Sequence, residues 1–478
     1  MFYDMGNKIL KWNNFRKTVN YLRKNGIRNT CYAMKERIEE ERRNDYYYKE
    51  PSEETLQAQR RESAVYSDLF SIVVPAYETD ERFLREMIDS VRRQSYEKWE
   101  LIIVDAGNSD SVEKIVGQIR EEKGGERIKY TRLEENGGIS ANTNTGIAQA
   151  SGDYIALLDH DDFLAPDALY YMAEALHRAR RQGTEPALLY TDEDKYDNNT
   201  CYISPHRKKK FNLDLILSNN YICHFMAVEA ELIKKLRLRS EFDGAQDYDL
   251  VLRVISQLCG LMSVQELSER IIHIPKFLYH WRCHTNSTAD NTASKNYAYE
   301  AGKAALEDFC AERGWQVEVE HSLHLGFYNM FYVPDILTVR QDVGIVGGRI
   351  LDARNRICAG AMESDGSCVY EGLHKEYSGG STHRASLKQD VTAVDIRCMQ
   401  VRPELREEFE HITGLPYAER TIQYKTEHGS RQLKIADLSG LSCDEAGYRK
   451  LSMELGRAAA EQGYLVLWDP QITMSMKG

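Results

Sequence analysis

From Phe70 onward, short β-branched runs alternate with segments whose apolar residues recur every three or four positions. "FSIVVPAY" (Phe70–Tyr77) and "ELIIVDAG" (Glu100–Gly107) read as buried strands. Between them, "ERFLREMIDSVRRQ" puts Phe83, Leu84, Met87, Ile88 and Val91 on one helical face. "ERIKYTR" follows as a strand, "ISANTNTGIAQA" as a helix, and "DYIALLD" as a further strand. This βαβα order predicts an α/β fold: a mostly parallel central sheet covered by helices, with ligands bound beyond the carboxyl ends of the strands. Asp105 and Asp159 close two of those strands and are expected on that edge.

The flanking regions differ. The first thirty-five residues carry eight Lys or Arg and a single acid, and Ile9, Trp12, Phe15, Val19 and Leu22 recur at helical spacing before Gly26 interrupts. A basic amphipathic helix is predicted, either packed on its own domain or making peripheral contact with an anionic membrane surface through residues 1–25. Residues 44–66 read as a polar linker. The expected organisation is a helical basic segment and linker over 1–67, an α/β domain over 68–320 and a further α/β module over 321–478. A net charge of −12 argues against nucleic acid as a partner. No window approaches twenty apolar residues, and the N-terminus lacks the marks of a signal peptide, so a cytoplasmic location is expected, free or peripheral at the inner face of the membrane. The ten cysteines are scattered with no C-x-x-C, which reads as reduced structural thiols and disfavours a zinc site.

Candidate chemistry starts at "YIALLDHDDFLAP" (Tyr154–Pro166), where an apolar run ends in Asp159, Asp161 and Asp162. Like charges at the mouth of a core element repel and cost desolvation unless a cation sits among them. If the segment is extended, Asp159 and Asp161 share a face and converge on a hard divalent ion such as Mg²⁺ or Mn²⁺. The bland alternative is an acidic turn capping the helix that starts near Pro166. "AQDYDL" (Ala245–Leu250) presents Asp247 and Asp249 at the start of a helix, where a carboxylate is either an N-cap or a general base. "TDEDK" (Thr191–Lys195) is a solvated charged turn or a group of sugar-hydroxyl acceptors.

In order and spacing, "IVVPAYET", "IIVDAGNSD" and "ENGGISANTNTGIAQASGDYIALLDHDD" resemble the nucleotide-sugar-binding half of the inverting, GT-A-fold glycosyltransferases of family two. "YTDEDKYD", "GAQDYDLVLRV" and "YHWRCHTNSTA" look like the acceptor half of that family's rhamnosyltransferase-like branch, so the resemblance spans roughly residues 68–320. It implies that Pro75, Tyr77, Glu78, Asp105 and Asp159 bind the donor nucleotide, and that Asp159 and Asp161, with His284, hold Mn²⁺ or Mg²⁺. It further implies Asp247 as catalytic base, and Arg282, Ser287 and Thr288 at the diphosphate. Asp192, Glu193 and Asp194 would then lie beside the acceptor. His280 rivals His284 as third metal ligand, and Asp249 is a structural cap or an acceptor contact. Ala106 stands where many relatives carry a second acid, which leaves a UDP- or dTDP-sugar donor open. The implied activity is transfer of a sugar from a nucleoside-diphosphate donor to a hydroxyl of a surface glycan or lipid-linked acceptor. A non-catalytic nucleotide-sugar-binding scaffold subunit is the alternative.

"DVGIVGGRILDARNRICAGAM" and "DIRCMQVRPEL" resemble the later part of a second such module without its nucleotide-binding start. Setting "KLSMEL" (Lys450–Leu455) against "AQDYDL" puts Ser452 in place of Asp247 and Glu454 in place of Asp249, so this truncated copy is expected not to transfer sugar.

Overall fold

The computed structural model describes residues 12–43, 46–122, 124–197, 201–260, 262–283, 292–426 and 429–476. They form two compact units, Tyr46–Glu320 and Met1–Asp45 with His321–Gly478.

In the first unit, strands β1 (Phe70–Ala76), β2 (Trp99–Asp105), β3 (Ile128–Arg132) and β4 (Tyr154–Leu157) are followed by β5 (Phe163–Leu164), β6 (Leu188–Tyr196), β7 (Tyr202–His206), β8 (Met226–Glu229) and β9 (Ile271–Arg282). They build one sheet in the order β3-β2-β1-β4-β8-β6-β9-β5, with β7 added beside β6. β3, β2, β1 and β4 run parallel; β8 is antiparallel to both of its neighbours, β4 and β6, and β6 and β9 are again parallel. This is the mixed α/β arrangement of a GT-A fold. β1 and β2 are apolar and buried almost throughout because helices cover both faces of a parallel sheet. Pro75 cannot donate to a ladder, and it lies past Val73, where pairing with β4 ends.

Helix α1 (Glu53–Glu62) precedes the sheet, and α2 (Glu81–Arg92) starts at Asp80, whose side chain accepts from the Arg82 N–H at 2.9 Å. The predicted stripe of α2, Phe83, Leu84, Met87, Ile88 and Val91, is the face it buries. α3 (Ser111–Arg120), α4 (Ile139–Gln149), α5 (Ala168–Arg181) and α6 (Gln246–Cys259) complete the cover. α4 approaches the sheet so closely at Gly146 that a Cβ there would fall 2.5 Å from Val73 Cγ1, so only glycine fits.

Residues 46–66 differ from the expected linker. α1 buries Leu56 and Gln59, Gln59 Nε2 donates to Asp167 at 3.4 Å, and Tyr48 packs edge-on against His280 at 4.4 Å. The polar look of this stretch reflects an amphipathic helix and Tyr46, whose hydroxyl donates to the buried Asp194.

The second unit has its own sheet, in which Val343–Leu351 runs parallel to Leu465–Ser475 and antiparallel to Ile357–Ala359 and Met399–Val401. Its core includes Ile396, Met399, Phe409, Leu455 and Trp468. Ser452 is buried, donating to the Tyr448 carbonyl at 2.7 Å and accepting from the Ile396 N–H at 2.9 Å, while Glu454 lies 3.9 Å from Lys450. The N-terminal helical stretch, Trp12–Arg43, is interrupted at Gly26 as expected: the backbone there is non-helical, with φ at 76°, and two helices meet across the kink. Tyr32 stacks on His374 at 5.3 Å, and Glu36 accepts from the Ser378 and Gly379 N–H groups at 2.9 Å, so this half of the helix packs on its own unit. Of the expected apolar stripe, Ile9 and the side chains of Trp12 and Phe15 lie outside the described residues, and Leu22 is exposed. No helix of the described residues is long and apolar enough to cross a membrane, and all ten cysteines are free thiols.

Candidate active site

The carboxyl edge of β1–β3 opens on a cleft of about 590 Å³, lined among others by Tyr77, Gly107, Asn108, Arg132 and Glu135. Asp105 ends β2 fully buried, next in sequence to the lining residues Ala106 and Gly107, and accepts from the Gly107 N–H at 2.8 Å and the Tyr130 hydroxyl at 2.9 Å. That carboxylate pushes the Tyr130 phenol up, second to burial. Glu78 adopts a positive φ of 49° and accepts from both the backbone and the side-chain N–H of Asn108 at 2.9 Å, so it braces the wall of the cleft. Tyr77 is about half exposed at the mouth, and Pro75 lies in β1 directly behind.

β4 ends at Leu157, so Asp159–Asp162 is a turn, closed by the Asp162 N–H on the Asp159 carbonyl at 3.3 Å. Asp159 and Asp161 therefore come together through the turn and not, as an extended segment would require, through strand alternation. Burial pushes the carboxyls of both Asp159 and Asp162 up; at Asp162 the Asp161 charge adds to this, and at Asp159 His224 opposes it before Asp161 adds to it.

Asp162 is the anchor of the turn. It accepts from the Tyr279 hydroxyl and from the Arg282 N–H at 2.7 Å, while Arg282 Nε donates to the Asp161 carbonyl at 2.8 Å. The Arg282 side chain is buried, pairs with Glu86 at 2.6 Å and stacks over Phe83 and Phe163. This places Arg282 behind the acidic turn, where it holds the turn's backbone, in contrast to the expected contact with a diphosphate. Arg282→Ala is expected to destabilise the protein by at least about 1.5–3 kcal/mol, the range for a hydrogen bond to a charged group, read as a lowered denaturant midpoint.

Asp247, in the first turn of α6, is half-buried; Asn220 Nδ2 donates to its Oδ2 at 2.8 Å. Its charge is among those that raise the Asp159 carboxyl, so the two groups share one electrostatic neighbourhood. Asp249 is instead a structural carboxylate, buried against Arg253 at 2.6 Å and Arg239.

Across the site, strand alternation in β6 separates the three acids of "TDEDK". Asp192 Oδ1 lies 2.7 Å from His273 Nε2, and Asp194 Oδ1 lies 2.7 Å from His280 Nδ1, with Asp192, Asp194 and His280 buried. These two carboxylates are committed to interior histidines and do not face an acceptor, which corrects that expectation. His280 is an interior residue, packed among Tyr48, Phe163 and Tyr202. Glu193 points the other way, toward Lys208 Nζ at 3.1 Å, His206 at 3.4 Å and His224 at 3.5 Å. Burial alone would raise its carboxyl, but Lys208 and the two imidazoles outweigh it and hold Glu193 well below the usual range. His284, Ser287 and Thr288 lie outside the described residues.

His224 and Asn220 carry no signal in the sequence, yet both reach the site. His224 Nε2 lies 3.6 Å from Asp159 Oδ2, and its ring lies flat on Tyr279 at 4.9 Å. Glu193, Cys223 and His224 bring one ligand atom each within 4.8 Å of one another. The Lys208 ammonium against Glu193 disfavours a dication at that spot, whereas the all-oxygen pair Asp159 and Asp161 suits a hard ion.

Residues 71–237 match the sequence model of glycosyl transferase family 2. An uncharacterized protein, y4gI of Sinorhizobium fredii, is 39% identical over 246 residues, covering 51% of this chain and 25% of that protein. The O-antigen biosynthesis protein RfbC of Myxococcus xanthus is 34% identical over 253 residues, covering 52% of this chain and 19% of that protein. The chain thus spans a quarter or less of the length of these curated relatives. Among solved structures, S. aureus TarS 1-349 in complex with UDP-GlcNAc aligns over 51% of this chain and 66% of that one, at 18% identity and a TM-score of 0.39. The likeness to glycosyl transferase family 2 thus lies over residues 71–237 of this chain.

Proposed function

We propose that the chain is a divalent-cation-dependent, inverting glycosyltransferase that moves a sugar from a UDP- or dTDP-linked donor to a hydroxyl of a cell-surface glycan or lipid-linked acceptor. The observation that carries this reading is that one short segment reaches both the acidic turn, through His224 at 3.6 Å from Asp159, and Asp247, through Asn220 at 2.8 Å, in the domain that bears the cleft at the β1–β3 edge. Asp159 and Asp161 would hold Mn²⁺ or Mg²⁺, and the crowded, upshifted carboxyls around them fit a site built for a cation. When bound, that ion supplies charge neutralisation for a departing nucleoside diphosphate. Asp105, Tyr77 and Glu78 line or brace the nucleotide cleft. Asp247 takes the proton of the acceptor hydroxyl as its oxygen bonds to the anomeric carbon and the bond from that carbon to the diphosphate breaks, one displacement that inverts the centre. O-antigen biosynthesis, the role carried in the name of one relative, favours an acceptor in a growing surface polysaccharide.

The unit containing His321–Gly478 enters the proposal as a partial, non-catalytic glycosyltransferase-like module, because Ser452 serves as a buried tie between its helix and the Ile396 backbone. One experiment tests the whole reading: thermal shift and calorimetric titration of the full chain with a panel of nucleotide sugars, with and without Mn²⁺. One donor is expected to bind at one site per chain and, at a hundredfold excess over Kd, to stabilise it by about 2.7 kcal/mol, more strongly with Mn²⁺. No shift with any donor would overturn it, and two donor sites per chain would overturn the non-catalytic second module.

A further inference from the structure

The segment Asn219–His224, between the short helix Leu213–Ile216 and β8, touches both halves of the proposed chemistry. Asn220 Nδ2 donates to Asp247 Oδ2 at 2.8 Å, and its Oδ1 accepts from the Cys223 N–H at 3.2 Å. The second bond settles which end of the amide faces the carboxylate: a backbone N–H can meet only the carbonyl oxygen, so the NH₂ end is turned to Asp247. Four residues on, His224 presents one ring nitrogen to Asp159 at 3.6 Å and the other to Glu193 at 3.5 Å. The same loop therefore holds a carboxylate of the acidic turn and the carboxylate at the head of α6.

The loop is itself clamped. The fully buried Lys208 ammonium donates to the Ile222 carbonyl at 2.5 Å and to the His224 carbonyl, and Tyr221 is buried edge-on to Tyr190 while its hydroxyl accepts from the Asn212 N–H at 3.0 Å. A loop tied down at its carbonyls and at a buried aromatic holds its two outward side chains at fixed positions, which a general base requires: the proton-accepting oxygen must stay within hydrogen-bond reach of the incoming hydroxyl.

We infer that Asn219–His224 is the positioning loop of the site, with Asn220 tying up Oδ2 of Asp247 so that Oδ1 is presented to the acceptor hydroxyl, and His224 setting the spacing between Asp159 and the acceptor-side Glu193. Asn220 and His224 are positioning residues in this assignment, acting through the carboxylates they hold. The inference rests on Asp247 being the base, and the test separates the two.

The test is a double-mutant cycle on the full chain with Asn220→Ala, Asp247→Asn and the pair, read as kcat and donor KM, with the melting temperature and Mn²⁺-dependent nucleoside-diphosphate binding measured alongside. In the wild-type background Asn220→Ala is expected to lower kcat about ten- to a hundredfold, with donor KM and nucleotide binding unchanged, the size of one hydrogen bond to a charged group. In the Asp247→Asn background it is expected to cost nothing further, because the group it orients is already gone. Asn220→Asp keeps the shape and the acceptor for the Cys223 N–H while turning an oxygen toward Asp247; it is expected to lose kcat at least as strongly, and it serves if the alanine variant folds poorly. Equal losses in both backgrounds, a loss in donor KM without kcat, or wild-type kcat in both Asn220 variants would overturn the loop assignment while leaving Asp247 in place. Wild-type turnover in Asp247→Asn alone would overturn the base.

Discussion

Asp247→Asn is expected to lower turnover at least about a hundredfold while donor affinity stays within about twofold of wild type. A positioned general base contributes about 10²–10⁴ in rate, or roughly 3–5 kcal/mol of barrier. Asparagine has nearly the same shape and keeps an oxygen, but it has no basicity at neutral pH, so the substitution removes proton transfer and little else. Donor binding is expected to survive because Asp247 sits at the head of α6, whereas the cleft is lined from the β1 to β3 edge. Melting temperature should hardly move, since the carboxylate is half-buried with Asn220 as its hydrogen-bond partner, and an amide can take its place there. The measurement is a pair: steady-state kcat with the donor that the nucleotide-sugar panel identifies, and calorimetric affinity for that donor with Mn²⁺. Turnover equal to wild type would take Asp247 out of the reaction and return it to an ordinary helix-start carboxylate.

What can be read along the chain, and what cannot, follows from the range of the interactions involved. β1, β2 and α2 are legible because a sheet covered on both faces demands unbroken apolar runs, and an amphipathic helix demands a stripe, both visible within a dozen residues. Asp105 is legible for the same reason, as the polar stop of such a run. The acidic turn is legible as a motif but through the wrong geometry: strand alternation would pair its acids, whereas β4 has already ended and Arg282 and Tyr279, more than a hundred positions away, shape the turn. "TDEDK" misleads in the opposite sense. Taken as a turn, its three acids look equivalent; as part of β6, they must alternate, and the His273 and His280 that receive Asp192 and Asp194 come from β9. Asn220 and His224 have no local signal at all, because "NNYICHFM" has neither period nor motif, and their partners lie on α6, β6 and the acidic turn. Arg282 stands out in the sequence but on the wrong face, since nothing in a linear pattern tells an outward cation from one buried against Glu86 and two phenyl rings.

Asp161→Ala is expected to separate the cation from the fold. The turn that carries Asp161 is anchored through Asp162, which accepts from Tyr279 and the Arg282 backbone, and through the Asp161 carbonyl, which accepts from Arg282 Nε. These anchoring bonds run through Asp162 and the Asp161 backbone, so the turn should keep them when the Asp161 carboxylate is removed. One negative charge would also leave a corner where Asp159 and Asp162 are already pushed up by burial and by that same neighbour, and this relief offsets whatever packing the truncated side chain gives up. The functional cost should be large, because a hard ion held by one carboxylate instead of two gives up several kcal/mol of charge stabilisation at the diphosphate. The expected result is turnover reduced at least about a hundredfold, together with disappearance of the extra thermal stabilisation that Mn²⁺ gives in the presence of donor. That second readout distinguishes this variant from Asp247→Asn, which should keep it. An Asp161→Ala protein that still gains Mn²⁺-dependent stability with donor would mean that the ion is held elsewhere, and the acidic turn would then be only the cap before α5.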